Sequence, residues 1–161
     1  TMFALDETGK KLIHEIKYHG VKEVLGDMPI WLSKSEGFRE FLEDSVLVPV
    51  PLHWQRLRKR GFNQSLWIAR AFEKEIGPKV KVMNCMKRTR NTPTQTTMEK
   101  KARKENVKNA FALKQGFCLN SLHRIVLIDD VFTTGATLEA CAQAWLGTGI
   151  ECLDFATLGH G

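Results

Sequence analysis

The chain has 161 residues, 43% of them hydrophobic and 26% charged, and its formal net charge is +6 at pH 7. This length suits one domain with a real core, and the ordinary globular composition excludes a disordered chain. The basic surplus fits phosphate-rich ligands or nucleic acid without selecting between them.

The four cysteines stand far apart and include no Cys-x-x-Cys pair, and no histidine lies at ligand spacing from them. Neither a zinc site nor a disulfide framework is indicated, so we expect reduced, mostly buried thiols at Cys85, Cys118, Cys141 and Cys152. The sequence shows no signal peptide and no long apolar span. We therefore expect a cytoplasmic protein.

The N-terminal part of the chain, residues 1–45, predicts a small helical hood. Residues 6–20 have the apolar spacing of an amphipathic helix, and further helical stretches cover 21–32 and 37–43. Two interpretations stay open for the polar residues of the first stretch, a solvated face or a role over an acceptor pocket. These residues are His14, Lys17, Tyr18 and His19.

A short strand at Val46–Val50 opens the predicted core, residues 46–161, and Pro49 and Pro51 place its end at a sheet edge or a turn. Four cations then occupy five positions, Arg56–Arg60, just before a helix predicted from about 63 to 76. Such a run is usually a solvated surface. Because it follows a core strand, we expect its arginines at the carboxyl edge of the sheet, where they could bind pyrophosphate. Base stacking by Trp54 is a further alternative.

The segment after the next strand, Lys79–Met83, is long, rich in threonine and basic, and it runs from Arg88 to Asn109. Long loops of this kind inside compact domains are more often functional than accidental. We interpret it as a flexible flap that closes over a polyphosphate. The alternative is a solvent-exposed helix from Glu99 to Asn106. A further strand begins at Ala110.

The stretch Ile125–Thr137 predicts a buried strand, two carboxylates, a hydroxylated loop and the start of a helix. That helix, 136–146, buries Leu138, Cys141, Ala142 and Trp145 at helical spacing, and a last apolar strand covers 150–158. Strands and helices alternate throughout. The sequence therefore predicts one α/β domain, 1–161, with a central, mostly parallel sheet flanked by helices.

The loop after the two carboxylates has the chemistry of an anion site. Backbone N–H groups and hydroxyls can converge there, and the following helix adds its positive end. Asp129 and Asp130 would repel a phosphate, so we expect them to face ribose hydroxyls and a hydrated Mg²⁺. The simpler alternative is that they only end a strand and cap a helix.

This stretch resembles the loop of type I phosphoribosyltransferases that binds phosphoribosyl pyrophosphate (PRPP). The resemblance implies the fold of that family and catalytic roles for Asp129 and Asp130, which would hold the ribose 2′ and 3′ hydroxyls. It implies that the 5′-phosphate is bound by Thr133, Thr134, Gly135, Ala136 and Thr137. From their placement we expect pyrophosphate to be bound by Arg56, Arg58, Arg60, Arg88 and Arg90. Mg²⁺ would be held through the ligand near the two carboxylates, with no direct protein ligand.

Three more stretches resemble the ComF family of phosphoribosyltransferase-like proteins, which is associated with DNA uptake. They are Val48–Leu52 with 58–64, Arg90–Gln95, and Arg103–Phe111. The resemblance covers roughly residues 10–158. It implies a pentosyltransferase that moves ribose 5-phosphate from PRPP to a nitrogen acceptor. The zinc module that family members often carry is not matched, so no zinc is transferred.

The alternative function is a non-catalytic module that binds single-stranded DNA or a phosphorylated ligand, with other competence proteins as partners. Pairing of two copies through hydrophobic edges stays open. The PRPP hypothesis requires that the threonines of the loop line a cleft. It fails if the two carboxylates, Asp129 and Asp130, lie inside salt bridges.

Overall fold

The structure, a computed structural model, describes residues 1–4, 6–90, 109–118 and 122–160. Most of the expected flap, including the alternative helix at 99–106, lies outside these residues, so both interpretations stay predictions.

Seven strands are present among the described residues: β1 (Phe3–Ala4), β2 (Ser45–Pro49), β3 (Val80–Val82), β4 (Met86–Arg88), β5 (Phe111–Leu113), β6 (Arg124–Phe132) and β7 (Cys152–His160). Five of them form a sheet in the order β1-β7-β6-β2-β3, and every neighbouring pair is parallel. Strands β4 and β5 form a separate antiparallel pair. With helices on both faces, this arrangement confirms the predicted α/β class and the central parallel sheet.

Six α-helices accompany the strands in the described residues: α1 (Glu7–His14), α2 (Met28–Lys34), α3 (Phe38–Leu42), α4 (Trp54–Arg60), α5 (Gln64–Ile76) and α6 (Ala136–Gln143). A π-helical turn, Glu15–His19, continues α1, and a 3₁₀ helix, Lys22–Asp27, precedes α2. Helix α6 ends three residues earlier than predicted. Trp145, beyond its end, is nevertheless buried as expected.

The central strand β6 separates two apolar layers, because its successive side chains point to opposite faces. Val126 and Ile128 pack with α5 and the N-terminal helices, whose Ile16 and Met28 are fully buried. Ile125 and Leu127 pack with α6 and the β4–β5 pair. The N-terminal helices therefore share the core of the sheet.

The structure adds to or corrects the sequence prediction at four places. The N-terminal segment contributes an edge strand, β1, in addition to its helices. Strand β2 lies inside the sheet, between β6 and β3, but β3 pairs only with Ser45–Leu47, so Pro49 at the end of the strand pairs with β6 alone. The cationic run Arg56–Arg60 belongs to a separate helix, α4, and is not only the segment that precedes α5. The strand at Phe111 belongs to the small antiparallel pair, not to the main sheet.

All four cysteines are free thiols, as predicted. The expectation that they are mostly buried holds for Cys85 and Cys141, whereas Cys118 and Cys152 are exposed. Burial raises the pKa of Cys85 to about 11 and also raises that of Cys141. Within the described part of the chain, no helix has the length and apolar character needed to cross a membrane.

Candidate functional site

The two carboxylates lie inside strand β6, which continues past them to Phe132. Asp129 is in register with Thr157 of β7. The apolar run that predicts the strand stops at Ile128, four residues before the strand ends. The side chains of Asp129 and Asp130 both line one cleft.

The start of helix α5 is fixed beside Asp129. The side chain of Asn63 caps α5 by accepting a hydrogen bond from the backbone N–H of Ser65 at 3.2 Å, and it donates to the carbonyl of Val50 at 3.0 Å. Val50 is itself bound to β6, because its N–H donates to the carbonyl of Ile128 at 2.9 Å. This chain of contacts lets Oγ of Ser65 donate to Oδ1 of Asp129 at 2.9 Å.

Asp129 is partly exposed at the floor of the cleft. Desolvation raises its pKa to about 7, and the adjacent carboxylate of Asp130 acts in the same direction. The backbone N–H of Asp130, Oγ of Ser65 and the ammonium of Lys17 oppose the rise. Near neutral pH this carboxyl group therefore exchanges a proton readily, and a cation close to it would favour the ionised form.

Asp130 is buried, and its Oδ2 lies 2.9 Å from Nζ of Lys17 in the π-helical turn. This ion pair places one of the two carboxylates in a salt bridge, so the requirement that they stand outside salt bridges is not met for Asp130, whereas no salt bridge of Asp129 is found among the described residues. Lys17 comes from the opposite end of the chain, so no local pattern around Asp130 indicates it. The side chain of Lys17 is 28% exposed and lines the cleft, so a ligand can reach the pair from solvent.

The loop after β6 forms a small concave surface of its own. A cavity of about 40 Å³ is lined by Asp129 and by every residue from Val131 to Leu138. Gly135 begins α6 with φ +72°, and Oγ1 of Thr134 accepts a hydrogen bond from the N–H of Ala136 at 3.4 Å. All five residues predicted to bind the 5′-phosphate line this cavity. The requirement that the threonines face a cleft is met.

A larger cleft of about 460 Å³ adjoins the loop, and Asp129 and Thr137 line both cavities. Its cations come from three elements: Lys17 from the π turn, Arg88 from β4, and Arg56, Lys59 and Arg60 from α4. Helix α4 is held in place by the side chain of His53, which accepts from the N–H of Gln55 at 3.4 Å, and by Gly61 at φ +85°.

Three of the five predicted pyrophosphate ligands line the cleft, namely Arg56, Arg60 and Arg88. Arg58 and Arg90 are exposed and lie outside its lining residues. Burial lowers the pKa of Arg88, the charge of Arg56 lowers it further, and Asp129 opposes this. Two guanidinium groups that repel each other in one cleft favour an anion between them.

Several residues that line the cleft were not predicted from the sequence. Ser65 and Gln64 begin α5, and Nη1 of Arg60 donates to Oε1 of Gln64 at 2.6 Å. Tyr18 lines the cleft, and the guanidinium of Arg60 lies 5.5 Å from the centre of its ring. This position supports the interpretation that Tyr18 has a role over the pocket. The sequence feature that could have indicated Ser65 is the helix cap at Asn63, because it fixes where α5 begins and so places Ser65 in the first turn.

The chain is similar in sequence to proteins named for competence and DNA utilisation. Competence protein F of Haemophilus influenzae is 34% identical over 107 residues, 66% of this chain and 46% of that protein. DNA utilization protein YhgH of Escherichia coli K12 is 32% identical over 154 residues, 86% of this chain and 61% of that protein. Competence protein ComFC of Bacillus subtilis is 28% identical over 153 residues, covering 92% and 58%. No protein-family model matches the chain.

The fold and the cleft define an α/β protein whose sheet edge carries paired carboxylates, a hydroxylated loop and clustered arginines. The chain belongs to the ComF family, as the sequence resemblance predicted. It spans about half to three fifths of the length of these curated relatives.

Proposed function

We propose that the chain binds PRPP with Mg²⁺ and transfers its phosphoribosyl group to a nitrogen acceptor, in a process linked to competence or DNA utilisation. One observation carries the proposal. The loop Thr133–Thr137, the carboxylate of Asp129 and the guanidinium groups of Arg56 and Arg88 line two cavities that share Asp129 and Thr137. A phosphorylated sugar with a second phosphate group needs these three kinds of donor side by side.

Each part of the cleft has a role in this proposal. The loop holds the 5′-phosphate through backbone N–H groups and hydroxyls. Asp129 and Asp130 accept hydrogen bonds from ribose hydroxyls, and the arginines bind pyrophosphate. The bond between ribose C1 and the pyrophosphate oxygen breaks, a bond from the acceptor nitrogen to C1 forms, and that nitrogen loses a proton. Fixed charges favour this step because positive charge grows on the ribose and negative charge on the leaving group.

The cleft residues fit Mg²⁺. Carboxylate oxygens are ligands that Mg²⁺ prefers, and burial together with the neighbouring charge of Asp130 raises the pKa of Asp129. When bound, Mg²⁺ would neutralise part of the charge on pyrophosphate. Lys17 would either remain on Asp130 or turn its ammonium to the ligand, since both groups line the same cleft.

Calorimetry with PRPP and Mg²⁺ tests binding, and release of pyrophosphate in the presence of a panel of nitrogen bases tests transfer. We expect saturable binding and a rise in melting temperature. Asp130→Asn should abolish transfer, whereas Asp27→Asn, at an exposed position on the 3₁₀ helix, should not. Absence of both heat and a melting shift would refute the proposal.

A second candidate function is binding of single-stranded DNA. Trp54 is 59% exposed at the start of α4, the helix that carries the cluster of cations, and stacking of bases on an aromatic ring beside cations is typical of such proteins. Titration of a labelled oligonucleotide over a range of salt concentrations tests it. If Trp54→Ala and added salt weaken DNA binding while PRPP has no effect, this function replaces the first.

A further inference from the structure

The turn that follows α1 has an uncommon backbone. Residues Glu15–His19 form a π-helical turn, which ends where the N–H of Gly20 donates to the carbonyl of Glu15, five residues before. In an α-helix, side chains four residues apart share a face, and the wider π turn extends this alignment to residues five apart. His14 and His19 are brought together in this way, with ring centres 5.6 Å apart.

Glu15 joins the two histidines on this surface. Each of the three residues can offer one ligand atom, and these atoms lie within 4.8 Å of one another. All three side chains are exposed. Two imidazoles and one carboxylate are a donor set that binds Zn²⁺ and leaves a position for water or another ligand. The proposed chemistry in the cleft uses none of them.

The other side of the turn is anchored to the protein. Ile16 is fully buried in the core, and Lys17 makes its ion pair with Asp130. Gly20 has φ +66°, and a Cβ at this position would come within 2.9 Å of the ring of Phe62, so the backbone passes close to that ring. An ion bound by the turn would therefore order side chains only, because the backbone is already held.

We propose that His14, Glu15 and His19 form a binding site for a transition-metal ion of the Zn²⁺ type. The site is separate from the cleft but adjoins it, because the ring of His14 packs 4.6 Å from that of Tyr18, which lines the cleft. The proposal does not depend on PRPP binding or on catalysis.

Titration of untagged protein with Co²⁺ and Zn²⁺, in excess Mg²⁺ and without PRPP, tests the site. Mg²⁺ prefers oxygen ligands and does not compete for imidazoles. Excess Mg²⁺ therefore occupies carboxylate sites such as that of Asp129 and leaves the histidine site free for Co²⁺ or Zn²⁺. Exposed thiols are removed with Cys118→Ser and Cys152→Ser. We expect one Co²⁺ per chain, with visible absorption bands of nitrogen and oxygen ligation, and displacement by Zn²⁺.

Single variants assign the ligands. His14→Gln and His19→Gln should each weaken Zn²⁺ binding by about 10-fold or more, and Glu15→Gln should also weaken it. The matched control is His123→Gln, since His123 is exposed and lies 3.2 Å from an oxygen of Glu151 without belonging to the cluster. Its affinity should equal that of the unchanged protein. Circular dichroism verifies that the variants are folded.

Two results would overturn the proposal. One is that the folded protein fails to bind Co²⁺ or Zn²⁺ at one ion per chain. The other is that the ion is bound with unchanged affinity when both His14 and His19 are replaced by glutamine.

Discussion

The ammonium nitrogen of Lys17 lies 2.9 Å from Oδ2 of Asp130, and this contact joins the π turn to the central strand β6. The side chain of Asp130 is 5% exposed and that of Lys17 is 28% exposed. A carboxylate as buried as this one is costly without a partner. Because both residues line the cleft, loss of this ion pair should change both the stability of the fold and the charge inside the cleft.

We expect Lys17→Met to lower the free energy of unfolding by about 2 kcal/mol, since it leaves the charge of Asp130 buried without its cation. The double variant Lys17→Met/Asp130→Asn should recover part of this loss, because no charge is then left unpaired. Urea unfolding measures both.

Lys11→Met is the control for the removal of a lysine. Lys11 is exposed on α1, so its replacement should change the free energy of unfolding by no more than about 0.5 kcal/mol. If the double variant is no more stable than Lys17→Met, the stability of the chain does not depend on this pair.

A second prediction concerns the titration of Asp129. Its pKa is raised from the ordinary value of 3.8 to about 7, so the folded chain keeps this proton after the unfolded chain has released it. The stability that the group contributes is present below pH 4 and is lost as pH rises through 7. Asp129→Asn removes the titration. The unchanged protein should therefore lose roughly 2 kcal/mol relative to the variant between pH 5 and pH 8, a figure reduced for solvent screening in the open cleft.

Urea unfolding at the two pH values measures this difference, and the amide oxygen introduced by Asp129→Asn can still accept the hydrogen bond from Ser65. The same measurement on Asp27→Asn, at an exposed site, is the control for replacing an aspartate by asparagine. A constant difference for Asp129→Asn would show that the cleft does not perturb this carboxyl group.

The features that could be predicted from the sequence are those with a local signal. The run Ile125–Ile128 is apolar without alternation, which indicates a strand buried on both faces wherever the rest of the chain lies. The residues after it predicted the loop and the start of α6. The pattern in α5 likewise depends only on its own spacing and on the Asn63 cap. These signals sufficed for the fold class and for one wall of the cleft.

The features that were missed depend on partners distant in sequence. Strand β1 has two residues and exists through its pairing with β7. The contact of Lys17 with Asp130 crosses most of the chain. Helix α4 is too rich in like charges to be indicated by amphipathic spacing, and its cap at His53 is not a residue that usually begins helices. Which arginines enter the cleft follows from the helical geometry of α4, which the sequence analysis did not predict.

Helix α4 provides the third prediction. Arg56 lines the cleft, whereas Arg58, two positions later, is exposed outside it. We expect Arg56→Gln to weaken binding of PRPP by about 10- to 100-fold, the usual effect of losing a charge-assisted hydrogen bond. Arg58→Gln removes the same charge from the same helix and should leave the affinity within about 3-fold. Calorimetry at fixed ionic strength compares the two. Equal losses would indicate attraction by net charge and not a contact in the cleft.

The last prediction tests the loop as the phosphate site. Gly135 has φ +72°, and a Cβ there would lie 3.2 Å from the ring of Phe132. Gly135→Ala should therefore shift the backbone of the loop and weaken PRPP binding by about 10-fold or more, since anion binding by backbone N–H groups depends on their direction. Calorimetry measures this effect. The strain itself should cost about 1 kcal/mol of stability.

Gly147→Ala is the matched control, because Gly147 has φ +79° with no atom within 4 Å of the added Cβ, and it lies outside both cavities. It carries the same backbone penalty without a change in the loop. We expect the two variants to lose similar stability in urea unfolding and only Gly135→Ala to lose affinity. If both bind PRPP as the unchanged protein does, the loop is not where the phosphate is held, and the sugar must lie elsewhere in the cleft.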